Sequence, residues 1–212
     1  MVWKVDFYED EGFAPVESFI AGLSREHKAK ALAIIELLEE EGPRLPFPYS
    51  SQVPGKIGEL RTQYGKDKIR ILYFGDSRSC FILLHGLLKR TDRLSEEDVQ
   101  MAEKGTFSSH PETERELGIM ATRWNRFHKE QLARDRELKA LVEQELASLR
   151  IGAQIARLRH EEGLTQSRLA ARAGMPSSKI SAIENAPQNL EISTLVRIAH
   201  AANRKLRISF AR

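Results

Sequence analysis

Apolar and polar residues alternate at the start of the chain, in VWKVDFYE, and this period of two predicts a β-strand within residues 2–9. The period then changes, because apolar residues recur at spacings of three between residues 29 and 38. That spacing predicts a helix, which the sequence EEEGP at 39–43 should end. A shorter helix is predicted before it, from Pro15 to Leu23.

Three more strands are predicted further along the first half, at residues 56–64, 68–75 and 79–89, with turn residues between them. A last short helix should begin after Ser95, with Asp98 at the capping-box position that a glutamate usually holds. The predicted order, β-α-α-β-β-β-α, indicates an α+β fold in which helices cover a small antiparallel sheet.

The second half has a helical pattern in which glycines mark helix ends and turns. Gly163 should end one helix, Thr165 should cap the next, and Gly174 should form a tight turn before a helix at 177–185. Two short helices joined by a glycine turn are typical of a helix-turn-helix. The final KLRISF at 205–210 alternates as a strand would. The expected core residues are Leu169, Ile180, Ile183, Leu195 and Ile198.

The boundary between the halves is polar and contains Gly, Ser and Pro, which favours a linker. Met120 within it looks like the start of a second protein, so the chain reads as two proteins translated as one. Gly152 is expected to interrupt the helical pattern that follows. The predicted organisation is a first domain at 1–104, a linker at 105–122, a helical segment at 123–150 and a helix-turn-helix domain at 151–212.

The net charge of +3 over 212 residues hides an asymmetry along the chain. Residues 1–52 carry a net charge of −5, residues 53–93 carry +5, and residues 105–212 carry +6. Two stretches are therefore basic, and basic stretches often bind polyanions.

Several classes of protein are excluded or disfavoured by composition. The single cysteine, Cys80, cannot build a disulfide framework or a cysteine-based zinc site within one chain, and its apolar neighbours indicate a buried thiol. The N-terminus lacks the apolar core of a secretion signal, and the apolar run at 81–88 is too short to span a bilayer. We therefore expect a cytoplasmic protein with no metal, no cofactor and no membrane partner.

Arg61, Arg70, His85 and Lys89 lie on three neighbouring predicted strands and could converge on one face of the sheet. Such a patch suits RNA cleavage, in which a 2′-hydroxyl loses its proton, a phosphorane is stabilised and a 5′-oxygen is protonated. Other interpretations stay open. Arg61 could pair with Glu59, His85 could be a core histidine, and Lys89 could be solvated at a strand end.

The motif Glu-Leu-Arg at 59–61, Arg70 with Tyr73, and Leu-His-Gly at 84–86 followed by Lys89 together resemble the RelE/HigB superfamily. Members of that superfamily are ribosome-dependent mRNA interferase toxins, and the phage-derived HigB-like branch is the nearest in pattern. The resemblance covers residues 1–104 and implies that this half is an endoribonuclease.

The resemblance also implies roles for individual side chains. Arg61 and Arg70 would bind phosphate and stabilise the transition state, and His85 or Lys89 would transfer protons. Lys56 and Tyr73 are secondary candidates, although Tyr73 also suits a packing role. Two departures favour a decayed, inactive domain instead: Gly58 replaces a bulky residue, and Leu87 replaces an aromatic one.

Residues 164–184 are similar to the lambda-repressor-like, XRE-type helix-turn-helix family, through Leu-Thr-Gln, Leu-Ala, Ile-Ser and Ile-Glu. This resemblance implies an all-α domain whose third helix enters the major groove, and a buried ion pair between Arg159 and Glu184. The implied DNA-binding residues are Ser177, Ser178 and Lys179 at the bases, Ser181 on the same helix, and Gln166 at a backbone phosphate.

A HigB-like domain followed by a HigA-like one implies a toxin fused to its antitoxin. Residues 123–149 would bind and silence the toxin, and the intact chain would bind operator DNA as a homodimer that represses its own operon. Messenger RNA on the ribosome would be the substrate of the free toxin. The alternatives are a transcriptional regulator whose first domain is inactive and serves dimerisation or sensing, and a nuclease that uses its helix-turn-helix for targeting.

Overall fold

The computed structural model describes residues 3–53, 56–76, 80–89, 95–108, 122–185 and 190–209, with side chains described only to residue 104 in the fourth range and not for Asp76. The chain forms two compact units, Met1–Leu146 and Ala147–Arg212. Among the described helices, none is long and apolar enough to cross a membrane. Most of the predicted linker, residues 109–121 with Met120, lies outside the described residues.

The first unit is built on a five-stranded sheet. Its strands are β1 (Lys4–Phe7), β2 (Ser50–Gln52), β3 (Ile57–Tyr64), β4 (Asp67–Asp76) and β5 (Cys80–Lys89), in the order β1-β5-β4-β3-β2. Strands β3 to β5 pair antiparallel, as predicted, and β2 pairs antiparallel with β3, whereas β1 pairs parallel with β5. The short β2 was not predicted, because three polar residues have no apolar alternation and only their pairing with β3 makes them a strand.

Helices cover both faces of this sheet. They are α1 (Pro15–Ala21), α2 (Arg25–Glu41) and α3 (Glu96–Ser108). The Phe19 ring of α1 lies against Gly86 of β5, whereas Ala102 of α3 packs with Leu72 of β4. Gly86 pairs in register with Ile71, the neighbour of Leu72. Because successive strand residues point to opposite faces, α1 and α3 lie on opposite sides of the sheet.

The predicted helix ends of the first unit are confirmed by backbone geometry. Gly42 has φ +59, so it ends α2 where the EEEGP sequence predicted, in a conformation that glycine adopts without steric cost. Ser95 and Asp98 form the predicted capping box, since the Ser95 backbone N–H donates to Asp98 Oδ2 at 3.1 Å and the Asp98 backbone N–H donates to Ser95 Oγ at 3.2 Å. Helix α3 continues to Ser108, past the predicted boundary at 104.

Two further helices, α4 (Arg123–Arg134) and α5 (Arg136–Glu161), follow. The predicted interruption at Gly152 is wrong, because Gly152 is a buried residue inside the continuous helix α5. The break occurs instead at Asp135, whose backbone is extended and whose carboxylate accepts from the Leu138 N–H at 2.9 Å. A local cap, not a glycine, therefore sets this boundary.

The second unit contains α6 (Gln166–Arg172), α7 (Ser177–Asn185) and α8 (Ile192–Ala201), as well as the end of α5. Thr165 caps α6 by accepting from the Arg168 N–H at 3.1 Å, and Gly163 and Gly174 both have φ +61, as the predicted turns require. The helix-turn-helix prediction is confirmed. The predicted core residues pack together: Leu169, Ile180, Ile183 and Ile198 are buried, and Leu195 is partly buried against them.

The described part of KLRISF, residues 205–209, forms no strand in the single chain. A strand needs a hydrogen-bonding neighbour, and the predicted neighbour is a second copy of the chain.

Gly58 departs from the RelE/HigB-like pattern, and its contact with Tyr73 gives a reason for this. The same contact gives a test of the fold. A Cβ at Gly58 would lie 2.3 Å from the Tyr73 ring, which packs over the glycine from the paired strand. We expect Gly58→Ala to lower the free energy of unfolding by roughly 1–3 kcal/mol, the usual cost of overpacking. Urea unfolding followed by tryptophan fluorescence measures this in the first unit, because both tryptophans, Trp3 and Trp124, lie there.

The control for that substitution is Gly22→Ala, since a Cβ at Gly22 would meet only backbone oxygens at ordinary contact distances of 3.6 and 3.7 Å. Equal stability of the two variants would contradict the proposed packing of Tyr73 on Gly58.

Candidate functional site

The register of the sheet brings four of the predicted cationic residues to one face. Arg61, Arg70 and Leu87 form a row across β3, β4 and β5, and Glu59, Leu72 and His85 form the adjoining row. Lys89 follows two residues after Leu87 on the same side of β5. We call this surface the cationic face, and define it by Arg61, Arg70, His85 and Lys89.

Arg70 is the most buried member of the cationic face, at 5% exposure. Its Nε lies 2.9 Å from Glu59 Oε1, and its terminal nitrogen donates to the backbone oxygens of Ile69 at 3.0 Å and Thr62 at 3.3 Å. The pair is a buried, hydrogen-bonded salt bridge, which stabilises only if both charges stay together. Direct contact of Arg70 with a phosphate would require it to leave Glu59.

Arg61 is more accessible than Arg70. Its Nε is 3.9 Å from Glu59 Oε2, so this ion pair is loose, and Ser51 Oγ donates to the same carboxylate oxygen at 2.9 Å. Its guanidinium carbon also lies 5.4 Å from the centre of the Phe47 ring, within cation–π range. Of the two arginines, Arg61 is the one that an anionic ligand can reach.

His85 and Lys89 share one carboxylate, that of Asp98 on α3. Lys89 Nζ lies 2.7 Å from Asp98 Oδ2, and His85 Nε2 lies 3.6 Å from Oδ1. Partial burial raises the pKa of Asp98, but hydrogen bonds from Lys89 and Ser95 outweigh that effect and lower the pKa to about 2. Asp98 is therefore anionic at neutral pH and neutralises part of the cationic face.

The two secondary candidates are not part of this cluster. Tyr73 follows Leu72 in β4 and points to the opposite side of the sheet, where its hydroxyl lies 2.9 Å from Ser50 Oγ and burial raises its pKa. Lys56 is exposed at the bend before β3. Three residues that bear on the site were not predicted to do so: Phe47, Ser51 and, as a partner of Lys89, Asp98. The capping-box pattern identified Asp98 only as a helix cap.

Within the first unit, helix α4 packs on β1 through aromatic side chains. Trp124 is fully buried, and Phe7 of β1 meets its ring edge-on at a centroid distance of 5.8 Å. Phe127 contacts the same Phe7 ring at 5.6 Å, also edge-on. The Trp124 backbone N–H donates to Asp6 at 3.2 Å, which fixes the start of the helix against β1. Large buried aromatics of this kind contribute strongly to an interface.

Ion pairs also fasten residues 123–145 to the preceding elements. Arg123 pairs with Glu17 of α1 at 2.6 Å and with Glu9, and Lys30 of α2 pairs with Glu145 of α5 at 2.6 Å. Arg25 of α2 also pairs with Glu137 and, at 2.8 Å, with Asp135. We call the contact of residues 122–146 with β1, α1 and α2 the clamp.

A polar group is enclosed within the clamp. His128 Nε2 lies 2.7 Å from Glu36 Oε1, and the His128 ring stacks on Trp124 at a centroid distance of 5.0 Å. Burial raises the pKa of the neighbouring Glu39 to about 7, although the Trp124 side chain and the charge of His128 act in the opposite direction. The clamp therefore contains a carboxyl group that titrates near neutral pH.

The predicted base-reading residues of the second unit lie at the start of α7. Ser177, Ser178 and Lys179 are exposed, as groove contact requires, and Ser181 is half-buried. The Asn185 amide donates to Ser181 O at 2.6 Å and to Ser181 Oγ at 3.3 Å, so part of that hydroxyl is already engaged.

The predicted ion pair between Arg159 and Glu184 is present and buried. Arg159 Nε and a terminal nitrogen reach the two Glu184 oxygens at 2.6 and 2.8 Å. Gln166 donates to the same carboxylate at 3.0 Å. The buried pair links α5 to α7, and the contact of Gln166 with Glu184 links α6 to α7. Glu184 therefore orients Gln166, the side chain proposed to bind phosphate.

Arg197 of α8 also holds the helix-turn-helix, and the sequence pattern did not single it out. Its guanidinium donates to Ala173 O at 3.0 and 2.6 Å and to Gly174 O. These oxygens lie at the C-terminal end of α6 and in the turn before α7. The contact fixes the turn that orients α7, so Arg197 is a positioning residue.

No cluster of three or more metal-ligating His, Cys, Asp or Glu side chains occurs in the described parts of either unit.

Comparison with known proteins gives two family matches and one relative. Residues 18–106 match the family described as "Phage derived protein Gp49-like", and residues 150–205 match the family described as "Helix-turn-helix domain". Over 51 residues the chain is 39% identical to an "Uncharacterized HTH-type transcriptional regulator y4dJ" of Sinorhizobium fredii (strain NBRC 101917 / NGR234). That match covers 24% of this chain and 66% of the relative, slightly under two thirds of its length.

The raised pKa of Glu39 predicts a pH-dependent stability of the first unit. Folding keeps Glu39 protonated between its ordinary pKa of 4.5 and about 7, so stability declines as pH rises through that range. We expect Glu39→Gln to be more stable than the wild type by about 1–2 kcal/mol at pH 8, and the gain to disappear towards pH 4.5. Urea unfolding at pH 5 and pH 8 measures it, with Glu40→Gln on the same helix as control. A gain that is equal at both pH values would contradict the assignment.

The Arg197 contacts predict a DNA-binding defect of a particular kind. We expect Arg197→Ala to bind duplex DNA about 10-fold more weakly, because charge-assisted hydrogen bonds are worth roughly 1.5–3 kcal/mol. The salt dependence of binding should not change, since Arg197 holds the turn and not a phosphate. Titrations at several salt concentrations measure both quantities. A smaller salt slope in this variant would show that Arg197 contacts the DNA backbone.

Proposed function

We propose that this chain carries a toxin and its antitoxin on one polypeptide. The proposal is supported by the match of its first part to a Gp49-like domain of the RelE/HigB type and of its second part to an XRE-type helix-turn-helix domain. The first unit is an mRNA endonuclease of the ribosome-dependent kind, and the segment after the linker holds it silent. The second unit binds operator DNA as a homodimer and represses its own operon. The clamp is the observation that carries this proposal, because it joins an antitoxin-like segment to the first domain.

The chemistry of the first unit follows from its cationic face. In this proposal Arg61 binds the scissile phosphate and stabilises charge on its oxygens in the transition state. His85 and Lys89 transfer protons once a ligand displaces or shares Asp98. Arg70 has a positioning role, because its ion pair with Glu59 fixes that carboxylate within the site.

The clamp suppresses this activity by its bulk. Its described contacts lie on β1, α1 and α2, and among them none involves Arg61, His85 or Lys89. Covering a flank of the domain still prevents it from entering a confined space such as the ribosomal decoding site. The covalent tether adds to this, because it holds the two parts at an effective concentration on the order of millimolar.

The DNA-binding activity follows from the exposed start of α7. Ser177, Ser178 and Lys179 reach base edges, and Gln166 contacts a phosphate that sets the register. A homodimer would place two α7 helices on the half-sites of a palindromic operator, one helical turn apart.

A second candidate function is a transcriptional regulator whose first unit no longer cleaves RNA. The burial of Arg70 and the carboxylates of Glu59 and Asp98 favour it, because each neutralises a cation that catalysis would use. In that case the first unit would serve dimerisation or sensing.

Opening the clamp tests the proposal. We expect cells that express the full chain with Trp124→Ala and Arg123→Glu to stop growing and to show cleaved mRNA on ribosomes, because these changes remove the buried aromatic and reverse its flanking ion pairs. Adding Arg61→Ala and Lys89→Ala should restore growth. The matched control is Arg134→Glu, an exposed residue of α4 whose ion pair is with Glu130 of its own helix.

The outcomes separate the two functions. Growth arrest that depends on Arg61 and Lys89 supports the fused toxin and antitoxin. Normal growth of the opened variant, with retained folding of the first unit and retained binding to its own promoter, would leave the regulator as the function.

A further inference from the structure

Phe47 is an exposed aromatic ring beside the cationic face. It lies in the loop between the 3-10 turn Gly42–Arg44 and β2, and 49% of its surface is exposed. A large ring that contacts water to this degree gains little from burial. Its position next to Arg61 therefore suggests a binding role.

The loop that presents Phe47 is held firmly by its neighbours. The backbone N–H groups of Tyr49 and Ser50 donate to Pro46 O at 3.0 and 3.2 Å, which closes a turn around the phenylalanine. The Arg61 N–H donates to Tyr49 O at 2.8 Å and joins this turn to β3. Tyr49 itself is buried. The ring is thus displayed from a fixed backbone, which lowers the entropic cost of binding a ligand.

Phe47 and Arg61 combine the two groups that bind single-stranded nucleic acid. The guanidinium carbon of Arg61 lies 5.4 Å from the ring centre, so a positive charge and an exposed π-face adjoin each other. Bases stack on aromatic rings, and cations bind the phosphates between the bases.

We propose that Phe47 stacks a nucleobase of a single-stranded RNA whose adjoining phosphate binds Arg61. This inference rests on the proposed function and deepens it, because it assigns a base-binding subsite next to the catalytic cations. The RNA then runs from the Phe47 ring across Arg61 towards His85 and Lys89. Stacking tolerates any base, so the subsite positions the strand without reading its sequence.

Binding of short RNA to the full chain tests the subsite. The probes are a fluorescein-labelled adenosine hexanucleotide and the same backbone without bases, titrated by fluorescence anisotropy at low salt. Excess random duplex DNA occupies the helix-turn-helix, so the labelled probes report the first unit. We expect the wild type to bind the hexanucleotide about 5- to 100-fold more tightly than the abasic backbone, the range typical of one stacked base.

Two leucine variants form a matched pair. Phe47→Leu removes the ring, and Phe13→Leu removes another exposed ring, 59% exposed, in the turn between β1 and α1. We expect Phe47→Leu to lose most of the preference for bases while its binding to the abasic backbone stays the same. Phe13→Leu should bind both probes as the wild type does, and both variants should unfold at the wild-type urea concentration.

An unchanged base preference in Phe47→Leu overturns the inference, as does a wild type that binds both probes equally. Either result is independent of the growth experiment. In that case, growth arrest by the variant with the opened clamp would still support the fused toxin and antitoxin, but without this subsite. Conversely, a preference that depends on Phe47 in a chain that never arrests growth would support an RNA-binding domain without nuclease activity.

Discussion

The arrangement of the first unit depends on the packing of the buried Trp124 side chain. The side chain is fully buried and packs against Phe7. The ion pair of Arg123 adjoins it, and those of Arg25 and Lys30 fasten the following residues to α2. The partly exposed pair of Arg25 with Asp135 contributes little, whereas the buried aromatic contact contributes strongly. A segment that the sequence separates from the first domain by a polar stretch thereby becomes part of it.

On the cationic face, neighbouring carboxylates neutralise part of the positive charge. Glu59 holds Arg70 and Asp98 holds Lys89, so the accessible positive charge is concentrated at Arg61. Buried charges have to be paired, which makes Arg70 a structural element of the site. The same pairing keeps the face intact without a ligand, and leaves Phe47 and Arg61 as its most approachable edge.

In the second unit, a buried network performs the positioning that DNA recognition requires. Glu184 accepts from both Arg159 and Gln166, and Arg197 closes the turn before α7 from the other side. Arg159 and Glu184 are buried, so the loss of either partner leaves a buried polar group unsatisfied. The base contacts proposed for the start of α7 require a helix that is held in this way.

The sequence by itself determined the helices, the antiparallel strands and the glycine turns, because periodicity and local capping are short-range properties. Four of six predicted catalytic residues share one face for the same reason, since strand alternation sets their side. The buried pair of Arg159 with Glu184 joins residues far apart in the chain, and it was expected only from the resemblance to the helix-turn-helix family. Only the tertiary structure decided that β1 pairs parallel with β5, that Tyr73 packs over Gly58, and that α5 passes through Gly152. The strand pairing and the packing of Tyr73 depend on neighbours distant in sequence, which no local pattern encodes.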